Sequence, residues 1–262
     1  MNLKRELNAL LTIAVRDLVR FLRDKPRILI SFIFPFLFIG VLGSSLQANL
    51  GGEVGFNFLS FVFVGVLGQT LFQSTASGII SLIEDRENNF SQELFVAPIS
   101  RYTLIFGKIL GESLVSIAHV VGILVFGFII GVPITIWQFV SMIPAAILIC
   151  LLGGAFGVLV LANLGNQRSA NQIFPLIIFP QFFLAGVFNP ITNLPPVLFV
   201  LSRITPMTYA VDLFRSIYYF GKPEYGKVVL HGSLVNLSVV LGMFLIFLVL
   251  GTHLFIQNER NR

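Results

Sequence analysis

The chain has 262 residues, of which 56% are hydrophobic and 11% are charged. Because soluble domains average about 45–50% apolar and about 25% charged residues, this composition excludes an ordinary soluble domain and indicates an integral membrane protein. Basic residues beside membrane spans explain the formal charge of +5, so we expect no nucleic-acid partner. The single cysteine, Cys150, excludes a disulfide within the chain.

The N-terminal arm, residues 1–27, has the pattern of an amphipathic helix. One helical face would carry Leu3, Leu7, Leu10, Ala14, Leu18, Phe21 and Leu22. The opposite face would carry Arg5, Arg16, Arg20, Arg23 and Arg27. This segregation predicts an interfacial helix on an anionic cytoplasmic leaflet, whereas a basic arm that only sets topology would need no helix.

Six segments approach the length of about 20 apolar residues that crosses a bilayer as a helix. They are Ile28–Leu46, Phe56–Ile83, Ile109–Gly131, Phe139–Leu164, Ile173–Phe188 and Val229–Ile256. The sequence therefore predicts one all-α membrane domain over residues 1–262 with six spans. The fifth span is short, and Pro175 and Pro180 predict kinks within it.

The distribution of Lys and Arg predicts the orientation in the cell membrane, meaning the inner or plasma membrane. Basic residues fill the arm, the connection between spans two and three and the C-terminal tail, whereas 47–55 and 132–138 contain none. Since cytoplasmic loops carry the excess of Lys and Arg, both termini should face the cytoplasm. Only the long connection 189–228 carries Lys and Arg on the predicted outer side. The charges of long loops have less influence on the orientation than those of short loops.

The connection between spans two and three, residues 84–106, is an unusually charged segment that we call the charged loop. Its charged residues up to Arg101 are Glu84, Asp85, Arg86, Glu87, Glu93 and Arg101. A hydrocarbon core could not hold this cluster, so the loop should project into the cytoplasm.

Residues 189–228 predict re-entrant or interfacial structure on the outer side. NPITNLPP, beginning at Asn189, ends the fifth span, and the apolar piece after it is too short to cross. Asp212 and Arg215 have the spacing of a helical i,i+3 ion pair.

The residues that carry catalysis in other proteins form no convincing set here. His119, His231 and His253 are scattered without metal-ligand spacing. GKPEYGKV places Val228 where a phosphate-binding loop needs Ser or Thr, and no parallel strand precedes it. Glu112 is the main intramembrane charge, too little for an ion-driven carrier. We therefore expect a non-enzymatic chain with an external energy source.

Phenylalanine is abundant, with 28 residues. Phe58, Phe61 and Phe72 share a helical face of span two, and span five carries Phe179, Phe182 and Phe183. Packing within the bundle or against lipid is the ordinary role of such rings. The alternative is a pathway for a lipophilic solute lined by these six residues.

Two blocks of sequence resemble the type-2 ABC exporter permeases, which include daunorubicin-resistance-like drug permeases and polysaccharide exporters. DRENNFSQELFVAPISR, from Asp85, is similar to the loop after the second span of that family. FFLAGVFNPITNLPPVLFVLSRITPMTYAVDLFRS, Phe182 to Ser216, is similar to the family signature around the fifth span. The order of elements agrees over essentially the whole chain.

The resemblance implies a half-transporter that pairs with a second permease chain, a homodimer being expected, and with separate ATP-binding subunits. The arm would be the connecting helix, and the charged loop would contain the coupling helix that contacts the ATPase. Polar contacts would come from Arg86, Glu87, Glu93 and Arg101. An apolar anchor would come from Leu94, Phe95 and Val96, with Pro98 ending the helix. ATP and magnesium would belong to the partner, with no cofactor on this chain.

The expected substrate is a hydrophobic drug-like compound or lipid, moved outward along a route between spans two and five. A polysaccharide or glycolipid is the main alternative. From other classes, an intramembrane lipid-modifying enzyme and a structural membrane anchor remain rivals, and an adjacent gene for an ATPase would discriminate against both.

Overall fold

The computed structural model describes residues 3–87, 100–161, 164–191 and 194–260. These residues are helical or irregular, with no strand among them, so the all-helical prediction is confirmed. The first half contains α1 Leu3–Arg23, α2 Lys25–Phe36, a π-helical segment Leu37–Gly43, α3 Ser44–Val54, α4 Phe58–Gly78 and α5 Ile80–Glu87. The second half contains α6 Arg101–Ile129, α7 Ile136–Leu161, α8 Gln167–Leu184, α9 Pro196–Ile204, α10 Pro206–Tyr218, α11 Tyr225–Val228 and α12 Ser233–Arg260.

Five helical segments in the described part of the chain are long and apolar enough to cross a membrane. They are Lys25–Asn49, Phe58–Asp85, Tyr102–Ile129, Ile136–Leu161 and Tyr225–Asn258. They correspond to predicted spans one to four and six. The predicted fifth span is α8, whose 18 residues extend about 27 Å. Its polar first turns lower its hydropathy, and it remains one helix through Pro175 and Pro180.

Helix α4 forms the centre of the bundle. Of its most apolar stretch, 78% is buried, against 17% for the first span. It packs against α6, α7 and α10, and α12 lies along α7. Gly153 and Gly157 of α7 face the backbone of α4 at Phe72 and Ala76, so this small-residue pair packs inside the bundle.

Helix α1 lies along α6, and its apolar residues are divided between two surfaces. Ala14 and Phe21 are buried against the bundle, whereas Leu7 and Leu22 are 50% and 54% exposed. The contact with α6 therefore covers only part of the apolar face expected for the arm, and the rest of that face is exposed. The interfacial position of the helix stays a prediction.

Helices α9 and α10 meet at an angle of 86°, which is typical of a broken span or a re-entrant structure. Every residue of α10 except Ile217 is buried. Asp212 and Arg215 lie on α10 at the predicted i,i+3 spacing, and the hydrogen bonds of both reach outside that helix. Asp212 accepts hydrogen bonds from the backbone N–H groups of Leu230 and His231, at 2.8 and 2.7 Å. Arg215 instead donates to carbonyl oxygens of the α8–α9 connection.

Candidate functional site

The charged loop is entered through α5 and left through α6. Arg86 lies in α5, and Arg101 is the first residue of α6, whose N-cap Ser100 accepts a hydrogen bond from the N–H of Thr103 at 3.2 Å. Glu87, the last residue of α5, is described as well, and the other five predicted contact residues lie outside the described residues: Glu93, Leu94, Phe95, Val96 and Pro98. The structure therefore describes the two ends of the charged loop.

A buried polar cluster joins the first end of the charged loop to α1 and α6. The Lys108 ammonium, 2% exposed, donates to Ser81 at 3.0 Å and to Asp17 Oδ1 at 3.2 Å, and it pairs with Asp85 Oδ2 at 2.8 Å. Arg16 Nη2 donates to the same Asp85 oxygen at 2.7 Å. We call Arg16, Asp17, Ser81, Asp85 and Lys108 the Lys108 cluster. Its charges compensate one another where water is largely excluded.

Two further contacts tie α1 to both ends of the charged loop. Arg20 Nη2 lies 2.6 Å from Glu84 Oε1. Both carboxylate oxygens of Glu6 accept from the backbone N–H of Ser100 at 3.2 Å. Hydrogen bonds from the Thr103 side chain and from this N–H lower the pKa of Glu6 below its usual value. The entry and the exit of the loop are thus both held by one helix.

Glu87, expected to contact an ATPase, has a partner within the chain. Its Oε1 accepts a hydrogen bond from the backbone N–H of Gln167, the first residue of α8, at 3.1 Å. A carboxylate at this position is also favoured by the partial positive charge of the helix N-terminus. The first end of the charged loop therefore also contacts α8.

A cavity of about 400 Å³ lies between α2, α4 and α8, with His119 of α6 in its wall. Its α4 wall is polar and consists of Gln69, Thr70, Gln73, Ser74 and Ser77 after Val66. The facing walls are mainly apolar, with Ile30, Phe34, Pro35 and Phe38 on one side and Pro175, Ile178, Phe179 and Phe182 on the other. The cavity therefore has room for a small organic ligand.

The six predicted pathway phenylalanines separate into two groups. Phe179 and Phe182 line the cavity, and Phe183 is 58% exposed on the same helix. Phe58, Phe61 and Phe72 are instead buried in the packed core. The ring of Phe61 lies under the Arg215 guanidinium at 3.7 Å, and Phe72 packs on Phe156. The α4 rings thus point to packing, and the pathway role remains a prediction for the α8 residues.

Sequence reasoning missed the polar wall and the Lys108 cluster, although both had a local signal. Gln69, Gln73 and Ser77 recur every four residues, which places them on one face of a helix in a mainly apolar span. Asp17 falls on the same face as Ala14 and Phe21, three and four residues away. A carboxylate on a buried helical face predicts a cationic partner, here Lys108.

These helices, and the arrangement of the charged loop and cavity among them, define a multi-pass membrane protein. A family model described as "ABC-2 type transporter" matches residues 8–219. The chain belongs to the ABC-2 type transporter family.

Several curated proteins are similar to the chain along much of its length. It is 25% identical over 252 residues to the putative transport permease ycf38 of Cyanophora paradoxa, covering 92% of this chain and 84% of that protein. It is 26% identical over 214 residues to the inner membrane transport permease YadH of Escherichia coli K12, covering 79% and 81%. The probable multidrug ABC transporter permease YbhR of the same strain is 23% identical over 144 residues, covering 53% and 38%.

Proposed function

We propose that this chain is the permease subunit of an ATP-driven exporter, assembled from two copies of the chain and separate ATP-binding subunits. Membership of the ABC-2 type transporter family supports this assignment, as does similarity to proteins named transport permeases. The single observation that carries the mechanism is the Lys108 cluster, because it ties the charged loop to α1 and α6. ATP and Mg²⁺ would be held by the partner subunit, which supplies the energy.

On this proposal the ATP-binding subunit contacts the charged loop from the cytoplasm. Leu94, Phe95 and Val96 insert as the apolar anchor, and polar residues around them fix the orientation. Both termini then lie on the cytoplasmic side. The exposed apolar residues of α1, such as Leu7 and Leu11, would lie in the lipid headgroup region.

Closure of the ATP-binding subunits would displace α5, which directly follows α4 in the chain. Through Asp85 the motion reaches α1, and through Glu87 it reaches the start of α8. Since α4 and α8 form opposite walls of the cavity, their relative movement changes its shape. Hydrolysis and release of the partner's nucleotide would reset it.

Buried ion pairs suit such a linkage because separating them is costly. Removing one partner of a buried pair typically costs about 3–5 kcal/mol, as the other charge is left uncompensated. Lys108 is 2% and Asp17 4% exposed at the side chain, so α1, α5 and α6 should move as one body.

The substrate we propose is a hydrophobic drug-like compound or a lipid, moved outward. The cavity supports this class over a polysaccharide, because two of its three helical walls are largely apolar and would leave many glycan hydroxyl groups without hydrogen-bond partners. An intramembrane enzyme is the alternative from another class, and the similarity to proteins named transport permeases favours the transporter over it.

Copurification with the ATP-binding subunit tests the partner assignment. Phe95→Asp should abolish recovery of a complex from detergent, because it places a charge in the proposed apolar anchor. Phe220→Asp is the matched control: Phe220 is 73% exposed in the predicted outer region, and the complex should be retained. Equal recovery with both variants would contradict docking through the charged loop.

A further inference from the structure

The cavity between α2, α4 and α8 has walls of opposite chemistry. Gln69, Gln73 and Ser77 present amides and a hydroxyl on one wall. The α2 and α8 walls are mainly apolar and include Phe34 and Phe182. From Val66 to Ser77 the α4 wall extends about 16 Å, comparable with a medium-length alkyl chain. A ligand that fits this cavity has a polar and an apolar side.

The fixed charge along the described lining of this cavity is positive. Arg27, at the start of α2, lines it, and no carboxylate belongs to the lining. The nearby Asp24 is engaged as the N-cap of α2, where it accepts a hydrogen bond from the backbone N–H of Arg27 at 3.1 Å. A cationic ligand would meet Arg27 without a compensating carboxylate, and an anionic one would be attracted to it.

Two side chains in the wall are more than nine-tenths buried and have an unsatisfied polar atom. Gln69, 6% exposed, donates from Nε2 to Gln73 Oε1 at 3.2 Å, but its own Oε1 has no hydrogen-bond partner in the described part of the chain. His119, 7% exposed, contacts Ser74 Oγ through Nδ1 at 3.0 Å, while its Nε2 has none. Buried polar atoms of this kind are unfavourable unless a ligand or water pairs with them. Because Gln69 Oε1 is an acceptor, its partner is a hydrogen-bond donor in the linker of a ligand or a water, and not a negative head group.

We propose that this cavity binds an anionic amphiphile. The negative head lies at the end formed by Arg27 and Ser77, with polar groups of the head and linker along Gln73. The hydrocarbon tail lies against Phe34, Phe38 and Phe182. This inference rests on the proposed function and narrows its substrate class: anionic or acidic lipids and amphiphilic acids, and not cationic drugs.

Native mass spectrometry of the purified full-length chain in an uncharged maltoside detergent tests this ligand class. Dodecyl phosphate, dodecyltrimethylammonium and inorganic phosphate are titrated separately. Dodecyl phosphate should bind about fivefold more tightly than the cation, the value expected for one solvent-exposed ion pair. Inorganic phosphate should not be retained, because it lacks the tail. Equal or tighter binding of the cation would overturn the proposal, and retention of inorganic phosphate alone would assign the site to a free anion instead.

Two variants test whether Arg27 is the cation that gives the preference for dodecyl phosphate. Arg27→Gln should remove the preference for dodecyl phosphate. Lys25→Gln removes an exposed cation two residues away that does not line the cavity, and the preference should persist. An equal loss in both variants would mean that general surface charge is responsible, which contradicts the proposal. If Arg27→Gln fails to fold, Arg27→Lys replaces it and should keep the preference while lowering affinity.

The ligand-binding result and the test of the exporter proposal can fail independently of each other. Recovery of the ATP-binding subunit is measured on the same preparations. A complex that assembles but prefers the cation refutes the anionic ligand alone. A chain that binds dodecyl phosphate selectively through Arg27 but recruits no ATP-binding subunit refutes the exporter proposal alone.

Discussion

Lys108 is the residue on which the contacts around the charged loop converge. Its ammonium is held by two carboxylates and a hydroxyl in a setting where only 2% of the side chain is exposed. Each contact comes from a helix distant in sequence: Asp17 from α1, Ser81 and Asp85 from α5. The ammonium therefore fixes α1, α5 and α6 against one another.

Lys108→Met should destabilise the protein strongly because Asp17 and Asp85 would then share only the Arg16 cation, which leaves one buried negative charge uncompensated. The expected loss is about 3–5 kcal/mol, read as a lower apparent melting temperature in detergent. Lys4→Met, at an exposed position of α1, is the control and should be near neutral. Adding Asp17→Asn to Lys108→Met should restore part of the loss, since one uncompensated carboxylate disappears. Equal melting of Lys108→Met and the control would contradict this role.

The contact between Glu6 and Ser100 should depend on pH. Hydrogen bonds from the Thr103 side chain and the Ser100 N–H lower the pKa of Glu6 below its reference of 4.5. A lowered pKa means that the stabilisation is complete above the reference value and is lost as pH falls through the folded-state pKa. At about pH 7 the melting temperature of the wild type should therefore be higher than that of Glu6→Gln. The difference between the two melting temperatures should shrink below about pH 4.5. A difference that stays constant to about pH 3 would contradict the contact.

Among the elements, α4 and α7 approach so closely at Gly153 that the contact has no room for a side chain. A Cβ on Gly153 would meet the carbonyl oxygen of Phe72 and lie 3.0 Å from its Cα. Backbone atoms cannot rotate away as a side-chain end can. The glycine is therefore retained for helix packing, despite its unfavourable helix propensity.

Gly153→Ala should lower stability by about 1–3 kcal/mol through overpacking at this contact. Gly242→Ala in α12 is the matched control, because no atom lies within 4 Å of the added Cβ. The control should be neutral or stabilising by up to about 1 kcal/mol, as alanine favours the helix. Thermal unfolding of both in the same detergent measures the difference. A stability loss no larger in Gly153→Ala than in the control would argue against the close contact.

Elements could be predicted where the residues of the element itself carry the pattern, and not where their contacts depend on another helix. The five long spans were found because each carries its own run of apolar residues. The two surfaces of α1 were missed because Ala14 and Phe21 become buried only when α6 is present. The Asp212–Arg215 spacing was correct for a helix, but Asp212 binds the backbone before α12 and Arg215 binds the α8–α9 connection. Local spacing could not reveal these competing partners.

The candidate site was predictable only in part for the same reason. Span five was expected to form a pathway, and Phe179 and Phe182 do line the cavity. The α4 rings were assigned by their shared helical face, yet that face turns toward the core, and the polar face of Gln69 and Gln73 meets the cavity. The face of α4 that meets the cavity depends on where α2 and α8 lie. The periodicity of the α4 sequence does not predict the positions of those two helices.

At the scale of the whole molecule, the two candidate regions are joined by continuous structure. The charged loop meets α1 at Arg16 and α8 at Gln167, and α8 is also a wall of the cavity. Movement of the loop and the shape of the cavity should therefore be coupled. This coupling is the central claim of the proposed mechanism.

Alkylation of a cysteine placed in the cavity tests that claim most directly. The only native thiol, Cys150, is buried, so Thr70→Cys in a Cys150→Ala background gives one reactive site on the α4 wall. In the complex with the ATP-binding subunit, its rate of reaction with a water-soluble maleimide should differ between the ADP state and an ATP–vanadate-trapped state. With Phe95→Asp and the same ATP-binding subunit present, the two nucleotide states should give equal rates, because no complex should form. The same difference in Phe95→Asp, or none in a complex that exports, would contradict energy transfer through the charged loop.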